Sequence, residues 1–559
     1  MNNIFKTLFG YSPDEKKRHF KISLVANNTS SQDNKKTYLK SDFDYNLNLF
    51  KNKYNSLLSS DINIREFKFN IKNKIFKAAI FFIDGINDSN SINEFILKPL
   101  LRKTKETNLN KNSKTLELLK YNNISKRKYK LNIKKFDLKN YLYNLIIPHS
   151  NIKLDNELNT LISHINKGFT LLLVETLDHA FIIETKSNNF RSIQEPMTEP
   201  IIKSSHQGFI EDIRTNTSMI RRIINNENLV LENISVGNIT KTDITICYME
   251  NITNESLISE VKFRLNNINI DSILYLNDIE SLIIDNPISI FPQISSTERP
   301  DKAAFNILNG KIVLLINGLP YALIIPTIFI DFLSASEDNN LNFIFANFLK
   351  IIRYISFFIA LFLPGFYIAI TTFHQELIPS ELLFAITTSR KSIPFPIILE
   401  ILIMEFSFEL LQEASIRVSS SFSTTIGIIG ALILGDAAVS AHIVSPILII
   451  IVAFTGISSF SIPDYSLKYS VRILRFLFII LGYFSGFLGI GFASFLLFCY
   501  MSNLSSFGID YFSPYIPDKK DSSNNIFTKP IWMKNKRDKF LNTKKPNLEK
   551  ENSMNWRNY

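Results

Sequence analysis

The sequence predicts two unlike parts: a soluble α+β or α/β region of two subdomains, followed by an α-helical membrane domain. Strand and helix patterns alternate over residues 1–350, and long uncharged apolar runs follow them. Charge is also uneven, because residues 351–512 carry 7 Lys/Arg and 9 Asp/Glu, whereas the 559-residue chain carries 62 and 51. The mean hydropathy of +0.07 therefore averages a soluble part and a membrane-like part.

Four apolar segments are the expected membrane spans, because a helix needs about 20 apolar residues to cross roughly 30 Å of hydrocarbon. They are Tyr354–Phe373, Pro394–Leu411, Ile443–Ile462 and Ile473–Met501. Four or six spans would both return the chain to its starting side, so we predict four to six spans. The sequence after Met1 has no apolar stretch long enough for a signal peptide, so we expect both termini to be cytoplasmic.

Two shorter apolar pieces, Tyr321–Leu333 and Thr425–Val439, are too short for ordinary spans. We interpret them as interfacial or re-entrant segments of the membrane domain.

The soluble part shows strand and helix patterns but no repeat in its sequence. Ile75–Ile83 and the pair Phe169–Val174 and Ala180–Glu184 predict buried strands, and a helix is expected near Ser91–Leu101. An alternating series then favours an α/β unit. It consists of strands Asp243–Met249, Ser272–Leu276 and Lys311–Ile316, with helices Asn254–Asn267 and Asp278–Ile284 between them.

These patterns divide the chain into five regions. We expect a polar, partly disordered segment, two soluble subdomains, a helical membrane domain and a basic tail. Their bounds are 1–68, 69–195, 196–335, 336–512 and 513–559.

The acids of the membrane domain are the first candidate site. A carboxylate in hydrocarbon costs about 2.5 to 3.5 kcal/mol and must face protein or water. Glu405, Glu409 and Glu413 follow one another at i, i+4 and i+8, with Gln412 beside them, so they share one helix face. Rings of such carboxylates from several subunits would line a cation path. The alternative is an ion-paired interface helix with Arg417 or Arg390 as partner.

Two more acids extend this set of pore-lining candidates. Glu400 lies about 140° around the helix from Glu405 and needs another partner. Asp436 follows a stretch of Ser, Thr and Gly that includes Ser419, Thr425 and Gly430. Small residues there suit either close helix packing or a re-entrant turn at a constriction.

A second set of candidates lies in the soluble part, as coupling or assembly residues. Arg214, Arg221 and Arg222 sit at i, i+7 and i+8 and would present guanidinium groups on one helix face. An anion site or a salt-bridging face would both explain them. Glu298, Arg299 and Asp301 surround Pro300, which is expected to begin a helix. These residues are further coupling or assembly candidates, and a purely structural corner would also explain them.

The sequence favours no enzyme. It contains no G-x-x-x-x-G-K-[ST], G-x-G-x-x-G, H-E-x-x-H or G-x-S-x-G motif, and its 7 His and 2 Cys form no metal or nucleophile pattern. We therefore expect no cofactor, no metal and no nucleic-acid partner.

Several blocks between Phe69 and Phe512 resemble the A subunits of GerA-type spore germinant receptors. In chain order they read GFIEDIRTNTSMIRR, FPQISSTERPDKAAFNILNGKIVLLINGLPYALIIP, SIPFPIILEILIMEFSFELLQEASIRV, TTIGIIGALILGDAAVSAHIVSP and SFSIPDYSLKYSVRILRF. The chain departs from the family pattern at Ser204-Ser205-His206-Gln207 and at Gln412, Ser415 and Ser419.

The resemblance implies a multi-pass protein of the spore inner membrane. It implies partners as well: further copies of the chain, a transporter-like B subunit, a lipoprotein C subunit and membrane lipids. It implies a ligand-gated cation channel that triggers germination. Two alternatives stay open, a non-conducting scaffold subunit and the related paralogue that works with dipicolinate release.

Overall fold

The soluble part is built on two five-stranded sheets, and a helix bundle follows it. The computed structural model describes residues 20–23, 37–56, 58–71, 74–101, 138–186, 195–196, 199, 203–417, 435–516 and 527–548. The segment 1–68, expected to be partly disordered, contains helix α1, Phe43–Lys53. This helix packs on the first sheet through Phe43, Leu47 and Phe50.

The first sheet has the order β1-β2-β4-β5-β3, and every pairing in it is antiparallel. Its strands are β1 Ile62–Ile71, β2 Lys74–Ile83, β3 Ile152–Asp155, β4 Phe169–Val174 and β5 Ala180–Glu184. The helices of this subdomain after α1 are α2 Ser89–Ile92, α3 Leu138–Tyr141 and α4 Leu158–Asn166, of which α2 and α3 continue as π-turns. Both faces of the sheet are covered at its centre, so strands β4 and β5 and the second half of β2 are almost continuously buried.

The second sheet has the order β6-β7-β9-β10-β8 and is also antiparallel throughout. Its strands are β6 Leu229–Val236, β7 Thr242–Met249, β8 Ser295–Thr297, β9 Ile312–Ile316 and β10 Ala322–Ile325. Its helices are α5 Ile213–Ile223, α6 Glu255–Asn266, α7 Leu276–Ile283 and α8 Pro300–Leu308. Separate apolar clusters fill its two faces.

The two subdomains repeat one another, which the sequence did not show. Each has one helix, two strands, two helices, a strand, a helix and two strands in that order. The register repeats too: Leu172 pairs with Phe181 in the first sheet, and Leu314 pairs with Leu323 in the second, 142 positions later for each member. Apolar side chains recur at the same spacing in these strands, such as Leu173 with Leu315 and Ile182 with Ile324, because both hairpins are buried.

Several predictions for the soluble part are confirmed. The hairpin Phe169–Val174 and Ala180–Glu184 has the predicted bounds, and strands and helices occupy the predicted places at Ile75–Ile83, Asp243–Met249, Asn254–Asn267 and Lys311–Ile316. The expected boundary near 196 falls between the last strand of one sheet and helix α5 of the next.

Three predictions are wrong. Ser272–Leu276 forms no strand, because the second sheet is antiparallel and needs no strand between α6 and α7. Strand β1 runs across the expected boundary at 68/69. Tyr321–Leu333 is not a membrane segment: it contains strand β10, buried in the second sheet, and helix α9, Phe329–Leu333. An apolar run of this length suits a core strand as well as an interfacial segment.

The part of the chain expected to form the membrane domain is a bundle of six helices among the described residues. They are α10 Phe343–Phe373, α11 Ser380–Arg390, α12 Ile397–Arg417, α13 Gly435–Ser440, α14 Pro446–Phe460 and α15 Tyr465–Ser502. Helices α10 and α15 are long and apolar enough to cross a membrane. Helix α14 is shorter, and α12 carries four glutamates along its length. Of the piece Thr425–Val439, only its end at α13 lies within the described residues.

Helix α15 folds back on itself at Gly486. This residue has φ 58° and ψ −142°, a conformation that essentially only glycine adopts. A Cβ on Gly489 would lie 2.6 Å from the carbonyl oxygen of Leu481, whereas residues eight apart in a straight helix are about 12 Å apart. The two arms, 465–485 and 487–502, therefore lie side by side.

Helices α10 and α15 approach each other closely at two glycines. A Cβ on Gly365 would lie 2.9 Å from the Phe478 carbonyl oxygen, and one on Gly482 would lie 2.7 Å from the Gly365 carbonyl oxygen. Close backbone approach of this kind is the usual device for packing membrane helices.

Both ends of α15 contact the second subdomain. Near its start, the Ser470 hydroxyl donates to the Ile290 carbonyl. Beyond its end, the hairpin of β11 Ser505–Ser506 and β12 Ile509–Asp510 returns to the sheet, where the Ser506 hydroxyl donates to the Gln293 carbonyl at 2.6 Å. The tail continues over the same subdomain and buries Phe540 and Leu541. The expected basic tail is thus partly folded.

We predict that Gly486→Ala destabilises the full chain by about 1 to 3 kcal/mol, because alanine is strained at this φ and ψ. Its Cβ would also lie 3.1 Å from the Phe373 Cβ. Thermal unfolding in detergent measures the loss. Gly491→Ala is the matched control, because a Cβ there meets nothing within 4 Å. Equal melting temperatures for the two variants would contradict the fold-back.

Candidate functional site

The membrane acids belong to a ladder of ion pairs between α12 and α15. Glu405 and Arg475 form the central pair, with Oε2 and Nη1 2.7 Å apart and both side chains at most 1% exposed. The Nε of Arg475 donates to the Ala360 carbonyl of α10 at 3.0 Å. One arginine therefore joins three helices.

The ladder continues one turn further along α12. Glu409 pairs with Arg472, also on α15. Glu413 pairs with Arg417 of its own helix at 2.7 Å, and both of these side chains are more than half exposed. The predicted stripe is therefore buried at one end and open at the other.

Glu400 has a separate partner, as its position around the helix requires. Arg390 of α11 lies 3.1 Å from its Oε1, and the Ser445 amide donates to its Oε2 at 3.3 Å. Glu400 is fully buried. It therefore ties α11 and the start of α14 to the start of α12.

Several polar atoms of the ladder have no hydrogen-bond partner among the described residues. They are Oε1 of Glu405, Oε1 of Glu409, Nε2 of Gln412 and one Nη of Arg475. A buried polar atom without a partner costs about 1 to 3 kcal/mol. The charges of the ladder are thus paired, but two acceptor oxygens and two donor nitrogens in it lack a hydrogen-bond partner among the described residues.

The sequence located the acids but missed their partners. Arg475 interrupts an apolar run, and an arginine inside a span needs a partner by the same reasoning that singles out an acid. Arg417 and Arg390, the partners considered from the sequence, bind Glu413 and Glu400 instead of the buried pair. Asp436 is exposed on α13, and Ser419 and Thr425 lie outside the described residues.

The arginines of α5 lie at the contact between the two soluble subdomains. Arg221 is buried and binds Asp61 of the first subdomain at 2.7 Å, and it also donates to the Leu229 carbonyl at 3.0 Å. Arg214 reaches Asp84 across the same contact at 3.5 Å. Arg222 points to the exposed side of the helix. The helix face is therefore split between an interface and solvent.

Arg299 forms a buried corner at the start of α8. It binds Asp301 through two nitrogens, at 2.7 and 3.1 Å, and donates to the Ser204 hydroxyl at 2.9 Å. Burial opposes ionisation of Asp301, but the hydrogen bonds from Arg299 and Ser204 outweigh it, so the pKa of Asp301 is lowered. The Glu298 carbonyl accepts from the Phe209 amide at 2.7 Å. The corner thus anchors the segment that enters α5.

A pair of acids lies where the second subdomain meets the membrane bundle. Glu280 of α7 is mostly buried, and burial, with the nearby Asp464 carboxylate, raises its pKa to about 7. Asp464 caps the start of α15 by accepting from the Leu467 amide. Burial raises the pKa of Asp464 as well.

No cluster of three metal-binding side chains occurs within the described ranges. The candidate site is therefore a set of ion pairs at helix and subdomain contacts.

Residues 48–540 match the family described as Bacillus/Clostridium GerA spore germination protein. The chain is 37% identical over 480 residues to spore germination protein KA of Bacillus subtilis (strain 168), which covers 86% of this chain and 83% of that protein. It is 37% identical to spore germination protein GerLA of Bacillus cereus, over 69% of this chain and 78% of that protein. The chain belongs to the GerA family of spore germination proteins.

A solved structure is also similar to part of the chain. It is the N-terminal domain of the A subunit of the Bacillus megaterium spore germinant receptor GerK3, 32% identical, with 53% of this chain and 98% of that domain covered and a TM-score of 0.37.

We predict that Arg475→Gln destabilises the chain by about 3 to 5 kcal/mol, because it leaves Glu405 charged and unpaired in the bundle. The double variant Arg475→Gln with Glu405→Gln recovers much of this loss, since two neutral amides remain. Melting temperatures in detergent report both. Arg417→Gln is the control, because exposed i,i+4 pairs contribute about 0.5 kcal/mol or less. A single variant as stable as the control would refute the buried pair.

We predict that the stability of the full chain falls as the pH rises from about 5.5 to 8, through the ionisation of Glu280. The folded pKa of about 7 lies above the ordinary value of 4.5, so the stabilising contribution is fully present below pH 4.5 and is lost as the pH passes 7. Glu280→Gln reduces this dependence, and Asp464, whose pKa burial also raises, supplies what remains. Thermal unfolding across this range measures it, and Glu376→Gln, an exposed acid of the same chain, keeps the wild-type profile.

Proposed function

We propose that this chain is the A-type subunit of a germinant receptor in the inner membrane of spores. Family membership is the observation that carries the proposal, since its relatives are named as germination proteins over most of the chain. Partners of the same receptor, a B-type transporter-like subunit and a C-type lipoprotein, belong to the proposal too.

The contacts support a route from the soluble part to the membrane. Arg221 and Asp61 hold the first subdomain to the second. The second subdomain in turn holds α15 at both ends, through Ile290 and Gln293. A signal that moved the first subdomain would therefore reach the bundle through the second subdomain.

The proposed topology has six crossings with both termini cytoplasmic. The second subdomain contacts both ends of the membrane domain, which supports an even number. Helices α10, α12, α14 and the two arms of α15 give five passes. Helices α12 and α14 run in the same direction, since Glu400 lies by Ser445 and Phe408 lies by Gly456. Two helices that run in the same direction imply a return pass between them, and this return is the sixth crossing of the proposal.

Conduction of cations by an oligomer of this chain is the finer part of the proposal. The buried pairs Glu405–Arg475 and Glu409–Arg472 neutralise both glutamates within one chain. We propose that these pairs stabilise a closed state of the channel. Glu413 and Asp436 are the exposed acids of the set and are proposed to face the ion path, with Gln412 and Glu400 behind them.

A non-conducting scaffold subunit is the second candidate. The same observation favours it, because each acid of α12 already has an arginine partner inside the chain. A scaffold would need these pairs only for packing.

We predict that the purified full chain forms oligomers and passes potassium ions when it is reconstituted in liposomes. Glu413→Gln with Asp436→Asn should keep the oligomer and lower potassium flux severalfold, because the ring charge that attracts cations is removed. Glu376→Gln with Glu381→Gln removes two exposed acids of the same domain and serves as control. Size measurement and flux are made on the same preparation.

Oligomers without potassium flux, both in the wild type and in the double variant Glu405→Gln with Arg475→Gln that removes the central buried pair, would support the scaffold and exclude the channel. Equal flux in the double variant of Glu413 and Asp436 and in its control would remove these two acids from the ion path.

A further inference from the structure

The C-terminal tail returns to the start of the first membrane helix. The Asn347 side chain of α10 and the Thr528 backbone exchange two hydrogen bonds, at 2.7 and 3.1 Å. The Trp532 ring lies 6.0 Å from the Phe343 ring at an angle of 84°. These contacts hold residues 527–534 against the helix start.

This stretch of the tail leaves large apolar side chains uncovered. Ile531 is 78% and Met533 61% exposed, and on the adjoining turn of α10 Ile344 and Phe345 are more than 60% exposed. They lie at one end of a helix that is long enough to cross a membrane. Tryptophan beside such a patch is typical of the headgroup layer of a bilayer.

A cavity of about 670 Å³ opens between the tail and the helix start. Apolar residues Phe343, Ile531 and Trp532 line it, together with Lys529 and Lys534. A second cavity of about 250 Å³ adjoins it, shares Lys534 and Thr528 with it, and is lined also by Lys350. We call the two together the tail groove. It is apolar toward the bilayer, and both lysines and aspartates line its inner end.

The cations of the tail groove are not all neutralised. Lys311 binds Asp331 at 2.5 Å, and Arg353 binds Asp338 at 2.8 Å. Asp301 is held by Arg299, and Asp538, which lines both cavities, lies near Lys534 and offsets part of its charge.

Lys350 and Lys534 remain, and neither ammonium group makes a hydrogen bond or ion pair with a residue that the structure describes. Lys350 is only 5% exposed. A buried ammonium without a partner is costly, so an anion at this point would stabilise it.

We propose that the tail groove binds an anionic phospholipid, with the headgroup phosphate between Lys350 and Lys534. The acyl chains leave the groove over Ile531 and Trp532 and join the bilayer beside α10. The lipid thus connects the tail to the first membrane helix at the junction with the second subdomain.

The apolar lining favours a lipid over a free phosphate. A free phosphate would occupy the inner end and leave Phe343, Ile531 and Trp532 in contact with water. A lipid covers these side chains and continues into the exposed apolar surface of α10. The burial of apolar area and the phosphate contact then act together.

Binding to the purified full chain in detergent tests the proposal, with native mass spectrometry and thermal stabilisation as the two measurements. The probes are phosphatidylglycerol, phosphatidylcholine and inorganic phosphate. We expect phosphatidylglycerol to bind and stabilise, and Lys350→Gln with Lys534→Gln to weaken its binding about tenfold or more, because each lysine near a lipid phosphate is worth about a factor of five to ten.

Two further variants make the test specific. Lys536→Gln with Lys545→Gln removes two exposed charges of the same tail outside the groove and should bind phosphatidylglycerol as the wild type does. Trp532→Ala keeps every charge and should weaken phosphatidylglycerol binding while it leaves any effect of inorganic phosphate unchanged. This variant also decides the matter if the lysine double variant fails to fold.

Three results would overturn the proposal. Equal binding of phosphatidylcholine and phosphatidylglycerol would show that the tail groove does not recognise the negative charge of the headgroup. Stabilisation by inorganic phosphate as strong as that by phosphatidylglycerol would show a simple anion site. Equal losses in the two lysine double variants would show only general attraction to a basic tail.

Discussion

The buried pair of Glu405 and Arg475 is the interaction on which the membrane domain depends. Exposing either charge to lipid would cost free energy, and so would burying it alone in the bundle. The opposite charge 2.7 Å away offsets this cost for both side chains. Since Arg475 also holds the Ala360 carbonyl, the pair decides which helices are neighbours. The close approach at Gly365 and Gly482 then completes the contact by packing alone.

The soluble part joins this bundle through one of two similar units. The subdomains share their order of elements and the register of strands β4 and β5 with β9 and β10. Among the described residues, however, it is the second subdomain that receives the tail, the hairpin after α15 and the Ser470 contact. The first subdomain reaches the second through Asp61 and Arg221. The two subdomains therefore have similar folds but different neighbours: the second contacts the helix bundle, and the first contacts the second.

Charge pairs join the two subdomains to each other and the helices of the bundle to one another, but the burial of these pairs differs. Arg221 with Asp61 and Arg475 with Glu405 are almost fully buried, whereas Glu413 with Arg417 is open to solvent. A buried pair is weak evidence for net stability, yet removing one partner is costly, so such pairs fix an arrangement more than they strengthen it. Contacts of this kind suit a protein whose parts have to keep a defined relation.

The sequence by itself predicted the division into a soluble and a membrane part, and it determined five of the ten strands of the two sheets, the acids of α12 and the family resemblance. These rest on local patterns: apolar runs, alternation and spacing along one helix, each of which a short window of residues contains. The hairpin at Phe169–Val174 and Ala180–Glu184 was readable to the residue for that reason.

Only the tertiary structure decided the rest. It assigned Ala322–Ile325 to a core strand, because an apolar run does not say whether protein or lipid surrounds it. It showed that Arg475 and Arg472, and not arginines nearer in the sequence, pair with Glu405 and Glu409. These partners are 70 and 63 positions away, so helix packing brings them together. It also showed the fold-back at Gly486 and the repeat of the subdomains. Each of these depends on which distant segments meet, and the pattern along a single segment carries no information about that.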